Sequence, residues 1–480
     1  MSEQPQGRVR RGTLRRRLDP TLVLAIVLPV VAVVALLLTR PDAWTQAAES
    51  PHRATLTSQT LVCPGAMRGA DAVGVTALAA EAAGSGGSGG GVTVSGTGAG
   101  STGGASGSSV DVSTGRLADV DAGDGSVVLS ASGASAPGLV AGRGSTGPVS
   151  ATDCAPPAAD QWFTGLGAGP AHNSTIELTN PNDGSAVVDV DVLGRSGVAD
   201  APQLRGIAVP GHASRSFDLN KLIPRLDALA IHTTVVRGQV SVAVRDRSGQ
   251  LIGTSGSEEW LPPQSAPATR TLLLGVPHEG EAHTLTLANG GDDQVTVTVK
   301  LVTPDAVLSP EQAPTVSLPP ETVRAVDVEK LVDAKVSADA FGLEIDATGP
   351  VAAALRTVSG GDLAITGPGD PVDGPAALVL PSGGSVDTKH VAIGGATHVG
   401  AVTVVSRTAE GRELASKRVA VQPQQGAYVD VPAAAAIVEV RPERTAVTAS
   451  AVVQGRGLAV VPFRQLVTEA EKPSVAPGLR

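Results

Sequence analysis

Ser174–Leu193 reads STIELTNPNDGSAVVDVDVL, and His283–Val302 reads HTLTLANGGDDQVTVTVKLV. In both, apolar and polar residues alternate with the period of two that marks a half-buried strand. In both, a turn interrupts the alternation: Asn180-Pro181-Asn182-Asp183-Gly184 in one, Asn289-Gly290-Gly291-Asp292-Asp293 in the other. Asn, Asp, Pro and Gly each favour turns, Asn and Asp by hydrogen-bonding their own backbone. The two asparagines stand 109 residues apart, and the offset persists: Pro210 and Pro319, Arg215 and Arg324, Asp218 and Asp327, Lys221 and Lys330, Leu222 and Leu331. Farther on the offset is 111, matching Gly238, Val240 and Arg245 with Gly349, Val351 and Arg356, which a two-residue insertion explains.

A fainter third copy places Gln422–Val431 (QPQQGAYVDV) against Pro319–Val328 (PPETVRAVDV), with His390–Ile393 and Gly400–Ser406 supplying the preceding strands. About seven short strands per roughly 100 residues, with turn signals between them, is the pattern of a β-sandwich. The expected fold class is therefore all-β: an N-terminal transmembrane helix followed by tandem immunoglobulin-like β-sandwich domains, arranged as a rod. The repeats are expected at 160–259, 270–362 and 376–467, with the Pro-rich joints Trp260–Ala268 and Thr366–Pro375 between them and a disordered tail at 468–480. Before them, 54–159 is expected to be a disulfide-tied β region. Within it, 84–109 is a Gly/Ser/Thr tract with too little apolar surface to offset its ordering entropy, which reads as a flexible loop.

Thr21–Thr39 (TLVLAIVLPVVAVVALLLT) is an uncharged apolar run. A bilayer core of about 30 Å and a helical rise of about 1.5 Å per residue make it just long enough to span. Pro29 is tolerable there because neighbouring groups can satisfy the freed carbonyl. Residues 1–20 carry Arg8, Arg10, Arg11, Arg15, Arg16 and Arg17, which by the positive-inside rule leaves the N-terminus cytoplasmic and everything beyond the spacer 40–53 extracytoplasmic. Membrane lipid is then a partner through Thr21–Thr39. The alternative is a secreted protein released by cleavage near Thr45-Gln46-Ala47.

Gly 58 and Pro 35 make up roughly a fifth of the 480 residues, against about 12% ordinarily, which favours turns and strands. With aromatics at 2%, cores must be built from Val, Leu, Ala and Ile. A net charge of −10, with no basic cluster beyond the first 17 residues, argues against a nucleic-acid partner. The two cysteines, Cys63 and Cys154, both fall on the outer side, where an even count points to one disulfide.

Catalytic and metal motifs are weak. His172, His212, His232, His278, His283, His390 and His398 are scattered, with no HExxH helix, and no zinc site is expected. Asp119, Asp121 and Asp124 with Gly125 resemble a calcium loop, but the spacing is wrong and Ser130 stands where the loop needs Glu. Gly165–Gly169 opens no βαβ helix, and no GxSxG elbow is present. No cofactor is expected. Residues that recur in every copy are read as structural: Asn180 and Asn289 as turn formers, and Asp218, Asp327 and Asp430 as strand ends. Asp218 and Asp327 precede LNKL and VEKL and can cap a short helical turn. Asn173-Ser174-Thr175 fits a glycosylation sequon. Trp162, Phe163 and Trp260 flank the first repeat and are read as packing residues rather than a sugar platform.

The apolar span, Leu61-Val62-Cys63-Pro64, Cys154 with Asp160-Gln161-Trp162-Phe163-Thr164-Gly165, and the strand pair IELTNPNDGSAVVDVDVL together carry a resemblance. The chain resembles the uncharacterised secreted or membrane-anchored actinobacterial proteins that bear a domain of unknown function, often encoded beside a family-2 glycosyltransferase. The resemblance implies no activity and no site residues. It suggests an envelope glycan or a membrane glycosyltransferase as partner. The expected function is a non-catalytic cell-envelope scaffold or binding module. The alternatives are an accessory subunit of a membrane glycosyltransferase, or a hydrolase with a site between domains.

Overall fold

The computed structural model describes residues 27–35, 52–67, 72–78, 90–97, 107–120, 122–249, 256–277, 282–311, 313–332, 339–359 and 361–472. Of the Thr21–Thr39 run, residues 27–35 are helical with exposed side chains, and the rest lies outside the described residues, as do Trp44, Asp121 and His278. No helix among the described residues is long and apolar enough to cross a membrane. The chain divides into two units, Met1–Ala54 with Glu471–Arg480, and Thr55–Ala470. A two-stranded ribbon pairs His52–Thr55 with Glu469–Lys472. Part of the tail expected to be disordered is thus a strand, and residues 473–480 lie outside the described residues.

The larger unit is all-β and holds four sandwich-like modules, the disulfide-tied β region expected at 54–159 being the first of them. Each has eight strand positions. Two sheets, in the order 1-6-3-4 and 5-2-7-8, face each other across a core of Val, Leu, Ile and Ala. In module 1 strands 1 to 8 are Ser58–Cys63, Ala72–Ala77, Gly90–Thr97, Ser108–Val112, Ala118–Val120, Ser126–Ser132, Leu139–Thr146 and Val149–Asp153, and in module 4 they are Ala376–Val379, Val386–Gly394, Gly400–Arg407, Glu413–Val421, Ala427–Val431, Ile437–Glu443, Thr448–Gly455 and Gly457–Pro462. Their strand orders match position for position. Module 2 begins at Asp160–Ala168 and ends at Gly256–Leu261; a bridge between its first two strands joins its sheets. Module 3 begins at Ala268–Leu274 and ends at Asp362–Thr366, and one long strand, Gly342–Ser359, serves as both sixth and seventh.

The tract 84–109, expected as a loop, contributes strand 3 of module 1, Gly90–Thr97. Val92 and Val94 point into the core from it, and the surrounding glycines and serines leave the alternation too sparse to read. The cysteines sit in the same core, where Cys63 at the end of strand 1 is bonded to Cys154 just past strand 8, 91 residues on.

The four modules do not form a rod. Their eighth strands meet one another: Gly256–Leu261 packs on Asp362–Thr366, which packs on Gly457–Pro462, which packs on Val149–Asp153, which reaches back to Gly256–Leu261. Side chains cross between modules. Leu363 and Ile365 of module 3 lie in the core of module 2 with Phe163 and Leu166, whereas Ala364 between them packs on Val452 and Leu458 of module 4. Val149 and Ala151 of module 1 lie in the core of module 4. A strand buried on both faces needs consecutive apolar residues, as Leu363-Ala364-Ile365 supplies. Close approach is needed as well: a Cβ on Gly142 of module 1 would lie 2.4 Å from the Val379 carbonyl oxygen of module 4.

The Cys63–Cys154 bond holds strand 8 of module 1, and so bears on module 4 as well. Replacing both cysteines with serine should lower stability by about 4 kcal/mol, from the entropy of a loop of about 90 residues. Equilibrium denaturation of the double variant measures this as a lower midpoint.

Candidate functional site

The register of each module places one buried polar position at the same point, where strand 2 meets strand 7. The cross-strand pairs there are Val73 with Arg143, Ser174 with Asp246, His283 with Thr357 and Lys389 with Val453, and all eight residues are buried. The next residue on strand 2 faces Asp119, Asp218, Asp327 and Asp430 in turn. Asp119, read from sequence as one point of a calcium-like loop, is thus the fourth copy of the strand-end aspartate.

Each module satisfies the buried group differently. Arg143 donates from Nη1 to the carbonyls of Pro64 (2.7 Å) and Gly125 (2.9 Å), and from Nη2 to Gly123 (2.6 Å). His283 Nε2 lies 3.0 Å from the Pro277 carbonyl. Lys389, 1% exposed, donates to the Ala435 carbonyl. Burial lowers its pKa to about 7, because removing an ammonium from water disfavours the charged form.

In module 2 the position gathers the residue types of a hydrolase. Ser174 Oγ donates to Asp246 Oδ1 at 2.6 Å and accepts from the Gly167 N–H at 3.0 Å. His172 Nε2 lies 3.0 Å from the same carboxylate oxygen, off the line of a hydrogen bond. Arg356 of module 3 donates from Nε to Asp246 Oδ2 at 3.3 Å. The order is Ser–Asp–His, with the carboxylate in the middle. A nucleophilic serine needs the imidazole to take its proton, whereas here the hydroxyl proton is given to a carboxylate that Arg356 already neutralises. The cluster fastens module 3 to module 2.

The other junctions are built alike. Between modules 1 and 2, Glu177 accepts from the Gly65 N–H at 3.0 Å and from Ser126 Oγ, and Arg245 donates to the Ala66 carbonyl at 2.7 Å. A buried hydroxyl chain runs beside them, with Thr97 Oγ1 2.6 Å from Ser214 Oγ and Thr179 Oγ1 donating to Ser126 Oγ at 2.9 Å. Arg245 and Arg356, matched by the repeat offset, therefore both reach back to the preceding module. Between modules 4 and 1, Arg464 donates to Asp153 Oδ2 (2.7 Å) and to the Cys154 carbonyl (3.0 Å), and the Leu117 N–H donates to Ala409 at 2.7 Å. Burial raises the Asp153 carboxyl, and Arg464 opposes that shift. Between modules 2 and 3, Trp162 packs on Ala288, Val323 and Ala352 and stacks on His232 at 4.5 Å. Between modules 3 and 4, Phe341 meets Tyr428 at 5.4 Å and the Gly426 N–H donates to Thr303 at 3.0 Å.

The residues singled out from sequence divide among these roles. Asn180 Nδ2 donates to the carbonyls of Gly184 (2.7 Å) and Val209 (3.0 Å), and Asn289 Nδ2 to Asp293 (2.8 Å) and Leu318 (3.2 Å). Each Oδ1 accepts the N–H two residues on. Asp218 accepts from the Asn220 N–H (3.1 Å), and Asp327 from the Glu329 N–H (2.9 Å), at the start of a helical turn. Asp430 instead lies 3.0 Å from His390 Nδ1 and is exposed. Asn173 of the sequon is engaged, donating to Asp218 and accepting from the Asn220 N–H. The intermodule roles of Glu177, Asp246, Asp153 and Arg464 carried no sequence signal, since each pairs with a residue 51 to 311 positions away.

The chain belongs to the family of unknown function DUF5719, whose model matches residues 117–432. The match runs from just before strand 5 of module 1 to just past strand 5 of module 4. A comparison with curated proteins finds no match.

Two outcomes test this polar layer. Lys389→Met should stabilise the protein by about 1–4 kcal/mol near neutral pH, since an apolar side chain removes a buried charge. The folded state binds the Lys389 proton less tightly than the unfolded state, so wild-type stability should rise with pH between about 7 and about 10.4. The variant should lack that rise in thermal unfolding scans across pH. Asp246→Ala should cost about 3–5 kcal/mol by leaving Arg356 facing an empty buried site, measured as a lowered denaturation midpoint.

Proposed function

We propose that the protein is a membrane-anchored, extracytoplasmic scaffold of the cell envelope, a non-catalytic block of immunoglobulin-like sandwiches held at the surface by Thr21–Thr39. One observation carries this reading: the buried polar groups with hydrolase-like chemistry face a partner module. Asp246 is occupied by Ser174 and Arg356, Glu177 by Gly65 and Ser126, and Asp153 by Arg464. Groups held in this way position modules and leave no activated nucleophile. The buried Cys63–Cys154 bond supports an oxidising compartment. Capture of the full chain from native membranes, with cross-linking, should recover an envelope partner and no turnover of envelope glycans. Glycan hydrolysis by the pure protein, abolished by Ser174→Ala, would overturn the reading.

A second reading, in which the protein holds a glycan for a membrane glycosyltransferase, draws on Tyr428. Trp162, Phe163 and Trp260 are buried, whereas Tyr428 is 41% exposed, stacks on His390 at 4.7 Å and is flanked by the Asp430 carboxylate. An exposed ring beside hydrogen-bonding groups suits the apolar face of a sugar. Tyr428→Ala should then reduce retention of envelope polysaccharide at least tenfold in a binding assay without shifting the melting temperature by more than a few degrees. Equal retention by the variant would leave the scaffold reading alone.

A further inference from the structure

The chain leaves strand 8 by the same route in every module. Two or three residues past that strand it crosses to strand 1 of its own module: Ala155 bridges Val62, Gln264 bridges Trp162, Pro368 bridges Leu273 and Gln465 bridges Ala376. In modules 1, 2 and 3 the crossing segment, residues 154–159, 262–267 and 367–375, is the covalent linker to the next module. In module 4 it is residues 463–468, and it too runs to a neighbour, which is module 1. Module 1 precedes module 4 in the chain, so this link is not a peptide linker.

The segment is held on both sides. On the module 4 side, Gln465 Oε1 accepts the Asp373 N–H at 3.1 Å, and the Leu466 N–H donates to the Pro375 carbonyl at 2.8 Å. On module 1, Arg464 reaches Asp153 and the Cys154 carbonyl. The Val467 carbonyl accepts the Gly138 N–H and the Thr468 carbonyl accepts the Leu56 N–H, each at 3.0 Å. Leu466 packs on the cluster of Val140 from module 1 with Ala377 and Val379 from module 4. Beside it the two modules touch directly. The Leu117 N–H donates to Ala409, the Ser385 N–H to Thr146 at 3.1 Å and the Val149 N–H to Arg456 at 2.8 Å.

This junction differs from the other three in what limits its opening. A linker of six to nine residues lets two modules part by at most about 20–30 Å, and it keeps each at a high effective concentration beside the other. Modules 4 and 1 lack that limit. None of residues 464–468 is fully buried, and segments with few buried contacts open before the units they join.

We propose that the junction of modules 4 and 1 is the seam at which the ring opens, and that residues 464–468 are the strap that shuts it. The strap lets go first, the seam parts next, and the linked junctions stay docked. Opening uncovers Val149 and Ala151 on module 1 and Ala377 and Val379 on module 4, an apolar surface that the closed block keeps from water.

Amide hydrogen exchange of the full chain tests this, with and without the double substitution Arg464→Ala and Leu466→Ser, which removes the strap's ion pair and its apolar contact. The N–H groups of Leu117, Ser385 and Val149 report the seam, because their acceptors lie across it. Gly65, bonded to Glu177, Ala353, bonded to Gln264 of the linker, and Gly426, bonded to Thr303, report the other three junctions. In the variant, protection of the three seam amides should fall at least tenfold, with that of Gly65, Ala353 and Gly426 unchanged. An equal loss at all four junctions, or none at the seam, would overturn the proposal. Should the double variant fail to fold, the order of exchange in the parent decides: Leu56 and Gly138 first, the seam second and the linked junctions last. A linked junction that loses protection before the seam would sink the idea.

Discussion

The structure depends on how the eighth strand of each sandwich is covered. This strand lies at a sheet edge, and in modules 1, 3 and 4 it carries apolar side chains that would face water in an isolated module. Exposed apolar edges are aggregation sites and are normally covered. Here the four strands cover one another, and Leu363, Ile365, Val149 and Ala151 are buried in the cores of neighbouring modules. Once the cores are shared, the polar ends of the sandwiches are buried too, and every hydrogen bond lost to water must be replaced. That requirement accounts for the pairing of Asp246 with Arg356, Glu177 with Gly65 and Asp153 with Arg464.

Much of this architecture could be read from the chain. The alternation around Asn180 and Asn289 gives the strands, and the shared offset gives the repeat, because a turn asparagine that bonds both its own turn and the end of a later strand, Ile207–Val209 or Thr315–Leu318, leaves a recognisable spacing. Module 1 escaped that reading. Its third strand is embedded in glycine and serine, so only Val92 and Val94 carry the alternation, and no turn asparagine marks the hairpin. Asp119 was then legible only as part of an acidic loop. The closure of the ring was equally hidden. A short apolar run such as Leu363-Ala364-Ile365 shows that both faces are buried, but not by which module.

The polar layer shows why residue types alone mislead in a repeat protein. His172, Ser174 and Asp246 are the components of a catalytic triad, yet the carboxylate stands between the other two and is shared with Arg356. The equivalent position holds Arg143, His283 and Lys389 in the other modules, so each module fills it with a different polar side chain. Each module's last strand touches the last strands of two others, so the junctions form one continuous set of contacts.

Closure of the four modules is the central claim, and small-angle X-ray scattering of residues 55–470 tests it directly. A compact block of that length should give a radius of gyration of about 22 Å. Four sandwiches end to end, each about 30 Å long from strands of about nine residues, would give roughly 35 Å and contradict the account.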